Sequence, residues 1–394
     1  MEGEILELIG FILSIIAGLL ILVFLVVIHE LGHGIVARRN GVTVEEFGVG
    51  FPPLAWGKKV KQSILGKNVL FSLNWLPIGG FVKLKGEYDA ADKKGDYGAA
   101  TFWQKTKIIL AGVATNWVAA AVIFTILAFV GLPRLIPGQF VVESDVTKTY
   151  QPLAVLTVTE GLPAAEAGIQ KGDEIKSVSG IDGDLYVDEV IAYSRARPGE
   201  PLTVTYVRDG KTATVVVPLR TAEQAVDSKG YLGVQFGQAP TTYRSTWSAP
   251  IVGIGVTAQL SVEIIKGLGD LIGKVFMGIA GKVTGDEVAS QQLGQAGDSV
   301  AGPVGIVGQI LPGAVSAGIV PVLLITAILS VTLAVMNILP IPALDGGRWY
   351  LMALFKIMKK PLTKDIEERI NSYGMIFLLG LIAVITVTDV VKLF

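Results

Sequence analysis
Cysteine is absent from this 394-residue chain, which excludes disulfides, thiolate metal sites and a cysteine nucleophile. Histidine occurs only twice, so any imidazole chemistry rests on two side chains. Charge is scarce as well: Asp, Glu, Lys and Arg make up 17% of the residues and sum to −1. No basic excess exists to hold a nucleic acid. What is abundant is apolar. Hydrophobic residues are 51% of the chain and its mean hydropathy is +0.58, a composition of the membrane class.

Four stretches are long and apolar enough to be expected as membrane spans. Residues 8–28 carry no charge over 21 positions, against the roughly 20 that a helix needs to cross. This run is too long for an ordinary signal peptide, and no small-residue cleavage site precedes the string that ends it. A retained first span within 1–37 is therefore expected. Residues 108–133 are uncharged over 26 positions, and a 45-residue uncharged stretch, 299–343, places a third span near 318–339, in a segment 318–347. Residues 370–388 supply the fourth, within 370–392. Residues 250–298, part of a wider region 223–317, are Gly-rich and amphipathic around Leu260, Ile264, Ile265 and Leu268. Lys266, Asp270, Lys274, Lys282 and Asp286 interrupt them, so they are expected to lie on the membrane surface.

Four spans put both termini on one side. Residues 38–107 hold 12 Lys and Arg against 6 acids, and 348–369 hold 6 against 3. The 186 residues of 132–317 hold 14 against 19 acids. The two basic loops are thus expected in the cytoplasm, with the long segment and both termini outside.

Both histidines fall in one string at the end of the first span, His29-Glu30-Leu31-Gly32-His33. In a helix i and i+4 share a face, so His29 and His33 can reach one metal ion, with Glu30 beside them within reach of a water on that ion. The bland alternative is two helix-end histidines facing interfacial water. A Glu flanked by His at the end of a span is costly to bury, and such groups mark function. Catalytic zinc takes three protein ligands and leaves one position open. With no third His and no Cys, the third ligand must be a carboxylate.

Spans one and three both run inward, so Asp345, in Asn337-Ile-Leu-Pro-Ile-Pro-Ala-Leu-Asp345-Gly-Gly, arrives at the depth of the two histidines. Pro340, Pro342, Gly346 and Gly347 break the helix around it. Irregular backbone at membrane depth is tolerated only when buried in protein or lining a wet cavity. Taken alone, Asp345 also reads as a helix-end acid in water. Asn337 either holds a substrate backbone or a ligand, or bonds another helix.

Within the loop 38–107, residues 43–51 and 68–85 read as strands, with Val69, Phe71 and Leu73 alternating before a turn at Leu76-Pro-Ile-Gly-Gly80. A strand edge beside the metal would hold an unwound peptide by strand addition, which makes Gly79, Gly80 and Phe81 substrate-contact candidates. The alternative is a small sheet that braces the spans. Residues 86–100 read as a solvated loop, Phe102 and Trp103 as an interfacial anchor, and Asn116 as a polar group bonding another span. Residues 150–222 change to short strands and turns, with a hairpin of 202–208 and 212–219 through Asp209-Gly210. This insert resembles a PDZ domain of the permuted bacterial kind. Its implied roles are recognising a trimmed substrate end, excluding large ectodomains, or bracing.

HExxH in the first span with NxxPxPxLDGG in the third closely resembles the site-2 proteases, in particular their bacterial RseP-like branch with a single PDZ domain. GVGFPP at 48–53, LPIGGFVKLKGE at 76–87 and GPVGI at 302–306 support the likeness, which covers most of the chain. The resemblance implies a polytopic α-helical membrane protein of about four transmembrane helices. A cytoplasmic, membrane-associated β-hairpin and an inserted extracytoplasmic PDZ domain, mainly β, complete it. It implies Zn2+ held by His29, His33 and Asp345, with Glu30 as general base. The implied substrates are single-pass membrane proteins, such as pre-cleaved anti-sigma factors or leftover signal peptides. The implied place is the inner membrane of the cell, with the active site near the cytoplasmic side. Some relatives carry two tandem PDZ modules, and only one is placed here. Two other classes compete: a PDZ-bearing scaffold with a structural zinc site, and a zinc or proton transporter. A scaffold needs no base at Glu30. Few spans and no visible internal repeat weigh against a transporter.

Overall fold
The computed structural model describes residues 2–88, 91, 93–149, 152–181, 185–225, 229–238, 242–284 and 302–393. The chain divides into two compact units, Met1–Phe129 with Trp247–Phe394, and Val130–Thr246. The first unit opens with α1 (Glu2–Arg39), β1 (Val44–Ser63), β2 (Gly66–Leu84) and α2 (Phe102–Val130). The second holds β3 (Leu132–Pro133), β4 (Thr147–Thr149), β5 (Leu153–Val158), α3 (Pro163–Glu166), β6 (Glu174–Val178), α4 (Val187–Ala196), β7 (Pro201–Arg208), β8 (Lys211–Pro218), β9 (Val234–Gly237) and β10 (Thr242–Arg244). The first then resumes with α5 (Ala249–Thr284), a helical run from Pro303 that ends in α6 (Leu311–Ala317), and α7 (Ile319–Ile338), α8 (Asp345–Ile357) and α9 (Lys364–Leu393).

Among the described residues, five helices are long and apolar enough to cross a membrane: α1, α2, α5, α7 and α9. The sequence reading has four, and α5 is the difference. At 36 residues it is about 54 Å long, well beyond a hydrocarbon core of about 30 Å. Its first half buries Ala249, Val252, Gly253, Val256, Thr257 and Leu260 at helical spacing. Gly253 sits against Ala121 and Thr125 of α2, and Trp117 Nε1 donates to Ser261 Oγ at 3.2 Å. Lys266, Asp270, Lys274 and Lys282 all fall later in the helix. The sequence reading places 250–298 on the surface on account of these charges, or across the membrane as a pair of passes that leaves the later orientation unchanged. The structure adds that the apolar half of α5 packs on α2. Asp286 and the rest of 285–298 lie outside the described residues.

The run from Pro303 is tied at both ends. Asp389 of α9 accepts the amides of Gly302 and Gly305 at 3.0 and 2.8 Å, so a carboxylate caps its first turn. At the other end Leu311 packs against Gly18 of α1.

β1 and β2 form one antiparallel sheet in which each strand is used twice. Residues 44–49 pair with both 70–73 and 80–84, while 54–63 pair back onto 66–74. Among the described residues, 80–84 therefore pair on one side only. Strand structure also extends past residue 51, where the sequence reading ends it. Pro52 and Pro53 fall at the register shift between Phe51 and Leu54, the place in a ladder where missing N–H donors do least harm. Phe51, Leu54, Trp56, Leu73, Trp75 and Leu76 leave one end of the sheet apolar and exposed.

The second unit is an antiparallel sheet in the order β8-β7-β6-β5-β9. Leu153, Val155, Ile175, Val178, Leu202 and Val204 face its core with Ala164 and Val190 from the two helices. Ala154 pairs with Gly237 and Val155 with Phe236, so the sheet ends beyond residue 222, the boundary expected from sequence. Four residues of β9 are too few for alternation to show. Asp173, fully buried, receives Arg208 Nε at 2.6 Å and the terminal guanidinium nitrogen at 2.7 Å.

Candidate active site
α1 carries His29 and His33 on one face, both buried. Their Nε2 atoms lie 3.2 Å apart, and Asp345 Oδ2 is 3.0 Å from one and 3.1 Å from the other. Asp345 reaches them because Pro340 and Pro342 stop α7 at Ile338 and turn the chain. α8 then begins at Asp345 itself, where a helix N-terminus favours negative charge. Gly346 and Gly347 lie directly on the carbonyls of Ile338, Leu339 and Ile341, so a side chain at either would push α8 off the turn. Among the described residues, His29, His33 and Asp345 are the group of three or more His, Cys, Asp or Glu placed to hold a metal ion, their ligand atoms all within 4.8 Å of one another.

α2 supplies the floor. Gly112 lies under both imidazoles, where any Cβ would collide with His33 Nε2. His33 Nδ1 is 2.7 Å from the Ile108 carbonyl oxygen. A carbonyl only accepts, so Nδ1 carries a proton, and in the neutral ring Nε2 then presents its lone pair to the centre. The Asn116 amide, buried, stands 3.4 Å from His29 Nδ1, and its backbone oxygen accepts Ser330 Oγ of α7 at 2.8 Å. The Asn116 side chain therefore bonds another helix, α1, and its partner there is a histidine. Sequence reading did not identify that partner. Its signal was the spacing Gly112-x-x-x-Asn116, which places both residues on one face of α2.

Glu30 points to the sheet: its Oε2 accepts the Val82 amide at 3.1 Å. Two cavities meet at Glu30 and Asp345. One, about 200 Å³, is lined also by His29, Asn116, Leu333 and Asn337. The other, about 130 Å³, is lined by His33, Glu87, Tyr97 and Arg348. The structure thus brings His29, Glu30, His33, Asn337 and Asp345 together. Gly80 approaches Val26 and Glu30, whereas Gly79 lies on the Phe51 ring and Phe81 covers Gly48. Arg348, one helical turn after Asp345, was not singled out in the sequence. Its Nε donates to Glu367 of α9 at 3.1 Å, a terminal nitrogen donates to the Glu87 carbonyl, and the guanidinium stacks 4.6 Å from the Tyr97 ring centre.

The chain is similar to known proteins along most of its length. A Clostridium perfringens protein named "Putative zinc metalloprotease" is 30% identical over 377 residues, covering 96% of this chain and 98% of its own length. The Bacillus subtilis "Regulator of sigma-W protease RasP" is 26% identical over 465 residues, 98% of this chain and all of its own. A PDZ domain of an SdrC-like protein from Listeria monocytogenes is 25% identical and covers 22% of this chain and 90% of that one, with a TM-score of 0.19. The model of peptidase family M50 matches residues 17–381. A helix-borne HExxH joined to a distant aspartate, matched from the first helix to the last, places the chain in peptidase family M50, the site-2 protease family.

Proposed function
We propose that this zinc metalloprotease cleaves peptide bonds inside the transmembrane segments of single-pass membrane proteins, with His29, His33 and Asp345 as metal ligands and Glu30 as general base. The observation that carries the reading is the triangle of two imidazole nitrogens and a carboxylate oxygen beside a carboxylate bonded to a strand edge. The donor set fits zinc, which takes imidazole and carboxylate and keeps a fourth position open in catalytic sites. The cradle at Gly112 and the His33 tautomer fit as well. So does an orphan: Asn116 Oδ1 is buried without a partner while Nδ2 faces His29. A half-turn of that amide lets Oδ1 accept the His29 Nδ1 proton, leaving Nε2 free to bind metal.

Bound zinc supplies Lewis acidity, polarising a carbonyl and acidifying water. Glu30 takes the proton of the attacking water and returns it to the leaving nitrogen. Asn337, in the cavity shared with His29, is placed to hold the substrate backbone. The edge at residues 80–84 receives the unwound peptide as an added strand, and the exposed apolar end of the sheet dips into the lipid. The charge bias of the loops supports an active site near the cytoplasmic side and an external second unit, read as a PDZ domain. The RasP likeness supports anti-sigma factors as substrates, with signal-peptide remnants as a second class.

The test is zinc content and cleavage of a membrane-embedded substrate by wild type, His29→Ala, Asp345→Ala and Glu30→Gln. About one zinc per chain, lost in the first two variants and kept in the third, with all three inactive, is the expected pattern. Zinc-free wild type, or cleavage by Glu30→Gln at the wild-type rate, overturns the assignment and favours a scaffold.

A further inference from the structure
The two halves of the site reach the sheet separately. α1 ties to it through Glu30, which accepts the Val82 amide. A second tie starts from α8. Arg348, one helical turn after Asp345, sends a terminal guanidinium nitrogen to the Glu87 carbonyl, 261 positions away in the chain. Glu87 follows closely on Leu84, where β2 and its one-sided edge end. The chain between them is held taut: Lys85 donates to the Thr43 carbonyl at 2.9 Å and accepts the Tyr97 amide at 2.7 Å. Arg348 therefore grips a fixed continuation of the edge. Val82 and Leu84 of that edge also line the cavity of about 130 Å³ that Asp345 and Arg348 line from the other side.

The guanidinium is fixed by two further contacts. Its Nε donates to buried Glu367 of α9 at 3.1 Å, and the ring of Tyr97, buried as well, has its centre 4.6 Å away. An ion pair that only braced α8 on α9 would need Glu367 and nothing more. Arg348 reaches past it to a carbonyl of a third segment while lying on a ring. A planar fork of donors sets direction as well as distance, which a lysine in the same place cannot do.

We infer that Arg348 is a positioning residue, which holds the strand edge at 80–84 at a fixed spacing from Asp345. Its effect on catalysis rests on the function proposed above, because a peptide laid on the edge meets the metal only if that spacing is kept. The chain has no cysteine, so Lys83→Cys/Tyr350→Cys puts one nitroxide label on the edge and one on α8. Distances between them are measured by pulsed electron spin resonance on the full chain in detergent, with chelator present so that no ion does the holding. Arg348→Gln should broaden the distance distribution about twofold, and Arg348→Lys less. Met352→Ala, which hollows the buried side of α8, should lower the unfolding temperature and leave the width alone. With zinc restored and a single-span Leu/Ala test helix as substrate, Arg348→Lys should lose about 10- to 100-fold in kcat with KM little changed. An unchanged width in Arg348→Gln, an equal broadening in Met352→Ala, or wild-type kcat in Arg348→Lys overturns the proposal. Wild type that neither holds zinc nor cuts the helix sinks the protease reading instead, and the label distances still decide the role of Arg348.

Discussion

Asp173 in the second unit has a guanidinium across both of its oxygens, whereas Asp345 in the first offers one oxygen to two imidazole nitrogens. The Gln170 amide completes the set at Asp173, donating to Oδ2 at 2.8 Å. Charge there is matched by charge, so nothing further can bind, and the pair clamps the start of β6 to the end of β7. At Asp345 no Lys or Arg among the described residues lies across the oxygen. Two imidazole nitrogens and a carboxylate oxygen face one point, two cavities open beside it, and the side chain remains 24% exposed. A carboxylate that finishes a fold is saturated by its own chain. Under the proposed function, Asp345 is left for the metal ion to saturate.

Removing the base while leaving the triangle intact separates binding from chemistry most sharply. Glu30→Gln should lower cleavage of a membrane-embedded substrate about 10²- to 10⁴-fold with zinc content unchanged. At the saturated carboxylate the effect should be on stability alone. Arg208→Ala leaves Asp173 buried without its partner and should destabilise the second unit by about 3 kcal/mol, read as faster hydrogen exchange at β6 and β7 amides, with zinc content unaltered. Zinc loss in Arg208→Ala would mean the two carboxylates are not independent. Asn116→Ala should weaken zinc about 10- to 100-fold in competition with a chelator, without lowering the stability of the second unit.

The smallest expected effect is on pH dependence. Burial opposes the charged form of Asp173, but the Arg208 hydrogen bonds, the Gln170 amide and the Arg208 charge together outweigh it, so its pKa lies below the usual carboxylate range. A depressed folded pKa stabilises fully above the unfolded value of about 3.9 and less as pH falls through the folded one. Exchange protection of β6 and β7 should therefore be flat above about pH 5 and decline below about pH 4. Arg208→Ala should flatten that decline.

The His29–His33–Asp345 cluster was legible because its parts sit in short strings: five residues fix His29, Glu30 and His33 on one helix, and two prolines with two glycines announce where Asp345 turns. The partners of those side chains were not. The Ile108 carbonyl and the Ser330 hydroxyl touch the site through packing of α2 and α7, and backbone carbonyls leave no mark in composition. Asn116 was visible as a polar residue in a span, but its histidine partner lies 87 positions away. In α5 the charges lie in one half of a helix longer than a membrane is thick, so the composition of 250–298 does not reveal the apolar half that packs on α2. Arg348 was hidden for the opposite reason: a basic residue in a basic loop looks ordinary until Glu367, Glu87 and Tyr97 surround it.

The single-sided pairing of residues 80–84 has a consequence for where cuts fall. Lys85 donates inward, to the Thr43 carbonyl, while Val82 donates outward, to Glu30. The outward hydrogen-bonding positions of this edge thus recur at every second residue, with Glu30, the proposed base, held at one of them. A peptide laid along such an edge can slide only in steps of two without turning its bonding groups away. The enzyme would then work as a ruler with a two-residue graduation, and minor cleavage sites in one substrate would be separated from the major one by even numbers of residues.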